Sequence, residues 1–181
     1  MVYKFVVLSD EVDDFRREIE IDAEATFREL NDIIMKTCKY KADQMSAFYT
    51  CDSDWERYQA ITMVEMDDDP KHEALLMDKT HLIDLIPLEE AQDRAKLIFL
   101  FDTMCDRGLF MQVREVTEHK HLLAPVVLVE KGKAPKQEGN IDDMFKDFND
   151  EMSMYGDEDY DPDELDMDGY QSLEDMESAG F

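Results

Sequence analysis

The amino-acid sequence predicts an α+β domain: a mixed or antiparallel sheet of about five to seven strands with one main capped helix packed on it. Three observations carry this expectation. Short β-branched and aromatic runs recur on both sides of a single strongly amphipathic segment near residue 27. That segment opens on a capping-box spacing. After Gln137 the composition shifts abruptly to an acidic tail, residues 138–181, which reads as largely disordered.

Val2 to Leu8 is β-branched and aromatic and reads as a strand. An acidic turn over Ser9 to Asp14 leads into Phe15 to Ile21, which alternates. Phe15, Arg17, Ile19 and Ile21 share one face, with Arg16, Glu18 and Glu20 on the other. Such alternation is that of a half-buried strand, paired to the first as a hairpin. In Thr26-Phe27-Arg28-Glu29 the threonine accepts from the Glu29 amide and Glu29 reaches back. Behind it Phe27, Leu30, Ile33, Ile34 and Cys38 line one helical face, while Arg28, Asn31, Asp32 and Lys36 fall away from it. A helix over 27–39 therefore packs its apolar face on the hairpin.

Met45 to Thr50 and Ala60 to Met66 are further strands, separated by the polar turn Cys51-Asp52-Ser53-Asp54, and Asp67-Asp68-Asp69-Pro70 stops the second. Short helical turns are expected over 81–94, with Pro87 ending the first. Leu97 to Phe101 is continuously apolar, as a central strand covered on both faces would be. Asp106-Arg107-Gly108 turns into Leu109 to Glu118, a second hairpin. Val126 to Val129 is a last short strand, and residues 131–135 leave the fold. In the tail, Ile141, Met144, Phe145, Phe148 and Met152 keep helical spacing over 141–152. This stretch is a recognition helix for a partner's groove, a cover for its own domain, or unstructured. The organisation is thus a domain over 1–137 and a tail over 138–181.

Charge limits the partners. The formal net charge is −27, and residues 138–181 hold 17 acids against one base, Lys146. A surface this negative repels phosphate backbones, so direct nucleic-acid binding is not expected, whereas a basic protein partner is. Cys38, Cys51 and Cys105 form no CxxC pair and no disulfide framework. The N-terminal stretch is no signal peptide, and no apolar run approaches the ~20 residues of a membrane span. These absences point to the cytoplasm, with no membrane.

Candidate chemistry is sparse. His119 and His121 are two apart and would share a strand face, but no third metal ligand is evident nearby. Glu164 to Asp175 has oxygen ligands at calcium-loop spacing, with Glu at position 1 and Asp at position 12 in place of the usual pair. Cys38 lies on the apolar helix face, and acids beside Cys51 and Cys105 blunt both thiols. No GxSxG, P-loop or GxGxxG is present. Trp55, the only tryptophan, sits in a polar stretch, as a binding anchor or as a flap over one end of the core. No catalytic residue, cofactor or metal is expected.

The order of segments carries one resemblance. A hairpin and a capped helix are followed by AFYTCDSDWERY, HLIDLIPLEEA, an apolar strand ending in FLFD, another hairpin and a closing KGKAP. Over residues 1–137 this resembles the plasmid pRiA4b Orf-three-like domain family of plasmid- and transposon-associated bacterial and archaeal proteins. That family's Asp-Phe-Gly-Asp turn is met here only by Phe101-Asp102 and Asp106, and its later Cys-Gly-rich stretch is missing. The resemblance implies a compact α+β fold and an association with mobile elements, and no established reaction. The resulting expectation is a non-enzymatic binding or adaptor protein whose acidic tail engages a basic protein, with partner-binding residues Trp55, Ile141, Met144, Phe145, Phe148 and Met152. The alternatives are an accessory factor of mobile-element DNA transactions, acting through a recombinase or as a nucleic-acid mimic, and an enzyme with a pocket near Asp102 and Asp106.

Overall fold

A computed structural model describes residues 1–64 and 74–138. The described chain is α+β, and eight strands form one mixed sheet in the order β5-β4-β3-β6-β7-β1-β2-β8. The strands are β1 (Val2–Leu8), β2 (Arg16–Asp22), β3 (Ala47–Cys51), β4 (Arg57–Thr62), β5 (Leu75–Leu76), β6 (Lys96–Asp102), β7 (Arg107–Thr117) and β8 (Val126–Lys131). The helices are α1 (Phe27–Cys38) and two short ones, α2 (Leu82–Leu85) and α3 (Leu88–Gln92). Every neighbouring pair is antiparallel except β4 with β5. That two-residue parallel strand takes the sheet one beyond the expected range, and a pair so short leaves no periodicity to read.

β1 and β2 form the expected hairpin, with Phe5 opposite Ile19 and Tyr3 opposite Ile21. The capping box at Thr26 and Glu29 closes from both sides, and Lys39 ends α1 in the left-handed region at φ 59°. Phe27, Leu30 and Ile34 pack into one core with Tyr3, Phe5, Ile19, Ile21, Phe48 and Phe99. Ring contacts continue that core from helix to sheet, Phe27 to Phe48 at 5.4 Å and Phe48 to Phe99 at 4.9 Å. β6 is central, between β3 and β7. Leu97, Phe99 and Phe101 enter the core under α1, and Ile98 and Leu100 are buried on the other face.

Arg17 shares the inward face of β2 with Phe15 and Ile19, and its side chain is 3% exposed. A charge can be buried there because its donors are satisfied. The guanidinium donates to Thr37 Oγ1 at 3.1 Å and to the carbonyls of Arg16, Lys131 and Gly132 at 2.9, 2.6 and 3.2 Å. It also lies 4.6 Å from the centre of the Phe15 ring. One side chain thereby ties β2 to α1 and to the end of β8.

β4 runs over Arg57–Thr62 rather than from Ala60 onward, Arg107 and Gly108 belong to β7 rather than to the turn before it, and two larger expectations also need correction. Asn31 does not face solvent: it is buried, and its Oδ1 accepts from the Ser46 hydroxyl at 2.7 Å. A short polar side chain can sit at the edge of the apolar stripe when one partner satisfies it. Residues 131–135 do not leave the fold either. Gly132 turns the chain at φ 69°, and Pro135 is buried, its carbonyl accepting from the Tyr40 hydroxyl at 3.0 Å. Arg107 donates to the Lys136 carbonyl, and the Gln137 amide group bonds both backbone groups of Lys41. The Asp67–Pro70 stop, the 141–152 helix, the calcium-like loop and the tail beyond Glu138 lie outside the described residues. No helix among the described residues is long and apolar enough to cross a membrane.

Candidate functional site

The turn between β3 and β4 is built around Asp52. Its Oδ1 accepts the amides of Asp54 and Glu56 at 2.8 and 2.9 Å, and its Oδ2 accepts the Tyr58 hydroxyl at 3.2 Å. Bonds to the charged form favour that form, so the Glu56 amide foremost, then that of Asp54, hold the Asp52 carboxyl below the usual range. The same carboxylate pushes the Tyr58 phenol up.

This scaffold fixes Trp55 at φ 69°, a conformation that a bulky residue seldom adopts. Its ring stands edge-on to Phe110 of β7 at 5.0 Å and 90°. Lys96 Nζ lies 4.7 Å from the centre of the Trp55 ring and donates to the Ser53 carbonyl. The lysine thus pins the turn from β6, and the half-buried Trp55 is held in place before any partner arrives. Arg57 repeats the arrangement alongside, 5.3 Å from the Tyr49 ring centre and bidentate to Asp106 at 2.6 and 3.2 Å.

Beside the turn a cleft of about 660 Å³ opens between the end of β3, the start of β6, Gln112 in the middle of β7, and α3 with the segment that follows it. Asp52, Glu90 and Asp93 line it against Arg94 and Lys96, with Tyr58 and Cys51 on one wall. Asp54 and Glu56 of the same turn are also exposed, so the rim is acidic. Tyr58 is 65% exposed, a large aromatic left open at an acidic edge. Burial first, then the Asp52 charge, raises the Cys51 thiol, and burial followed by Asp102 raises that of Cys105. Cys38 is pushed up to about 12 by burial. None of the three is in a disulfide.

Asp102 and Asp106 are each held by an arginine. Asp106 is held by Arg57. Asp102 accepts from the Cys105 amide at 3.1 Å and from Arg107 at 3.5 Å. Arg107 in turn grips Glu11 with two bonds of 2.8 and 2.7 Å. Neither aspartate lines the cleft above or the smaller hollows at Asp22 and Asn31.

At the other end of the sheet, His119 and His121 lie in the loop after β7, and His119 adopts φ 58°. His121 Nδ1 stands 3.1 Å from Asp22 Oδ2, at the end of β2. Burial raises the Asp22 pKa, but the amides of Glu24 and Leu122, the chain's amino terminus and His121 outweigh it, so the carboxyl stays below the usual range. Glu24 stands beside this pair.

Of the residues expected to bind a partner, Trp55 is placed by the structure, while Ile141, Met144, Phe145, Phe148 and Met152 lie outside the described residues. Tyr58, Lys96 and Phe110 were missed, since their sequence neighbours say nothing of Trp55. The carboxylates Asp52, Asp54 and Glu56, alternating around the tryptophan, were a usable sign of a turn tied by its own side chains.

Comparison with known proteins adds only the fold. No family model and no curated protein matches the chain. The chain is similar to a solved structure described as a protein of unknown function, MM3350 from Methanosarcina mazei Go1. The TM-score is 0.58 at 15% identity, over 89% of this chain and 91% of that one.

Proposed function

We propose that this chain is a non-enzymatic binding protein for a basic protein partner, and that the Trp55 turn with its acid-rimmed cleft forms the docking surface. The observation that supports this is the pre-ordered aromatic group. Trp55 and Tyr58 are held by Asp52, Lys96 and Phe110 beside a concave rim in which carboxylates outnumber bases. Rigid aromatics lose little conformational entropy on binding, and an acidic rim steers cationic partners. The tail, with 17 acids against one base, adds charge of the same sign.

Kinship with the plasmid pRiA4b Orf-three-like family belongs to the same proposal and is supported by the order of segments. It carries a second reading, an accessory factor of mobile-element DNA transactions, favoured by the net charge of −27 that a nucleic-acid mimic needs.

The test compares the full-length chain with a Tyr58→Ala, Glu90→Lys, Asp93→Lys variant in affinity capture at two salt concentrations, with captured proteins identified by mass spectrometry. Lysine- and arginine-rich proteins held by the wild type and lost from the variant are expected. Identical captured sets, or binding indifferent to ionic strength, would refute the reading. Salt-sensitive capture confined to DNA-binding proteins would favour the second.

A further inference from the structure

The feature that carries furthest lies away from the Trp55 turn, where the end of β2 meets the loop between β7 and β8. β2 delivers Asp22 at its last position, and Glu24 follows two residues later. The loop brings His121 to the same place from 99 positions away. One donor atom from each of the three lies within 4.8 Å of the others. We propose that Asp22, Glu24 and His121 form a binding site for a divalent transition-metal ion of the zinc class.

The donor set selects the ion. One imidazole nitrogen with two carboxylate oxygens suits Zn²⁺ and its neighbours, whereas Ca²⁺ takes six to eight oxygens and Mg²⁺ an oxygen octahedron. The carboxylate at the centre is already oriented. Asp22 Oδ1 accepts the Glu24 amide at 3.0 Å, and its Oδ2 accepts the Leu122 amide at 2.9 Å. Such outer contacts fix the geometry of a ligating group in metal sites generally. The Asp22 side chain is 10% exposed and that of His121 68%, so one ligand is anchored inside while the other stands open to an arriving ion. Around them is a hollow of about 330 Å³, walled by Ala25, Glu29, Leu122 and Leu123, with room for the waters that would complete the coordination. A bound ion would clamp the β7–β8 loop to the end of β2, a junction now held by the Asp22 contacts and the Lys120–Glu20 ion pair.

A chain with 46 acidic residues attracts cations without any site, so the test must separate this group from the general surface. Full-length protein, His121→Ala, Glu24→Gln and the control His119→Ala are each titrated with Zn²⁺ by calorimetry over a background of millimolar Mg²⁺. Their thermal midpoints are read with and without the ion, and Co²⁺ serves as the spectroscopic probe. The wild type and His119→Ala should bind one Zn²⁺ that Mg²⁺ does not displace. At a hundredfold excess over the dissociation constant their midpoints should rise by roughly 5–10 °C. Without metal Glu24→Gln should melt like the wild type and His121→Ala slightly below it, having lost its contact with Asp22, and both should bind at least tenfold more weakly. Co²⁺ should give visible absorption bands with the wild type, weakened in His121→Ala. Equal Zn²⁺ binding in all four proteins, or binding abolished by Mg²⁺, would assign the effect to the acidic surface and overturn the proposal. A loss in His119→Ala matching that in His121→Ala would overturn it too.

Discussion

Replacing Arg17 by methionine should cost the domain about 3–5 kcal/mol, because the acceptors it leaves behind lose their donor at roughly 1–3 kcal/mol each. An apolar isostere often substitutes for a buried ion pair at no cost, so the origin of this figure matters. Among the described residues the guanidinium's acid partner is Glu130, at 3.9 Å and 52% exposed, and that carboxylate can return to water. What remains behind is a set of acceptors, the Thr37 hydroxyl and the carbonyls of Arg16, Lys131 and Gly132. A hydrogen bond from a charged donor is worth roughly 1.5–3 kcal/mol, but four bonds from one group are not additive, and the outer two carbonyls can find water. Methionine also forfeits the guanidinium–Phe15 contact, about 0.5–2 kcal/mol. Lysine keeps the charge with a single donor head that cannot reach all four acceptors, so Arg17→Lys should fall between methionine and wild type. Urea denaturation followed by far-UV circular dichroism gives the three stabilities directly. With a domain total of about 5–15 kcal/mol, the methionine variant should unfold at a markedly lower urea concentration. A methionine variant within about 1 kcal/mol of wild type would show that water satisfies the acceptors and that the guanidinium does not hold β8.

Thr26→Ala removes one half of the capping box and should lower stability by about 1 kcal/mol in the same urea experiment, with Thr26→Ser close to wild type. Gly132→Ala drives a Cβ into the Asp14 carbonyl at a φ of +69°. Backbone cannot yield as a side chain would, so a loss of at least about 2 kcal/mol is expected. The acid limb should reflect Glu18, whose carboxyl is held down first by its bond from Arg16, and Asp22, held down by the Glu24 and Leu122 amides against burial. Both fold with depressed values, so their stabilisation is complete above the ordinary carboxylate range and is lost as pH falls through the depressed values. Urea midpoints measured from pH 6 to pH 3 should drop, and the drop should be shallower in Glu18→Gln and Asp22→Asn. An unchanged slope in both variants would place the acid sensitivity elsewhere.

The elements that could be read from the sequence are those whose pattern is local. The Thr26–Glu29 spacing specified where α1 begins, and period-two alternation set the inward face of β2, Arg17 included. The apolar run of β6 marked a central strand because side chains on both of its faces are buried. Asn31 was misread because helical geometry gives a residue's direction and not what stands opposite, and Ser46 is 15 positions away. The 131–135 segment was misread for the same reason. Its lysines and glycine look like an exit, yet Tyr40 and Arg107 hold the residues that follow.

The candidate sites show the same division more sharply. Trp55 was visible as an isolated aromatic, but Phe110 and Lys96 reach it only because β6 is inserted between β3 and β7. The register sets Cys51 opposite Lys96 and Lys96 opposite Gln112, while Ile98 lies opposite Phe110. A one-residue slip of β6 would turn Lys96 inward and Leu97 outward, removing both the cation over Trp55 and a core side chain. The alternation that buries Leu97, Phe99 and Phe101 therefore also fixes Lys96 under the turn, so a register-preserving core substitution at Phe99 should cost stability before it disturbs Trp55. Emission from Trp55, the only tryptophan, can report this order of events: Phe99→Leu should keep the wild-type spectrum in the folded state while unfolding at lower urea. A changed folded-state spectrum in Phe99→Leu would mean that the turn depends on core packing as well as on strand register.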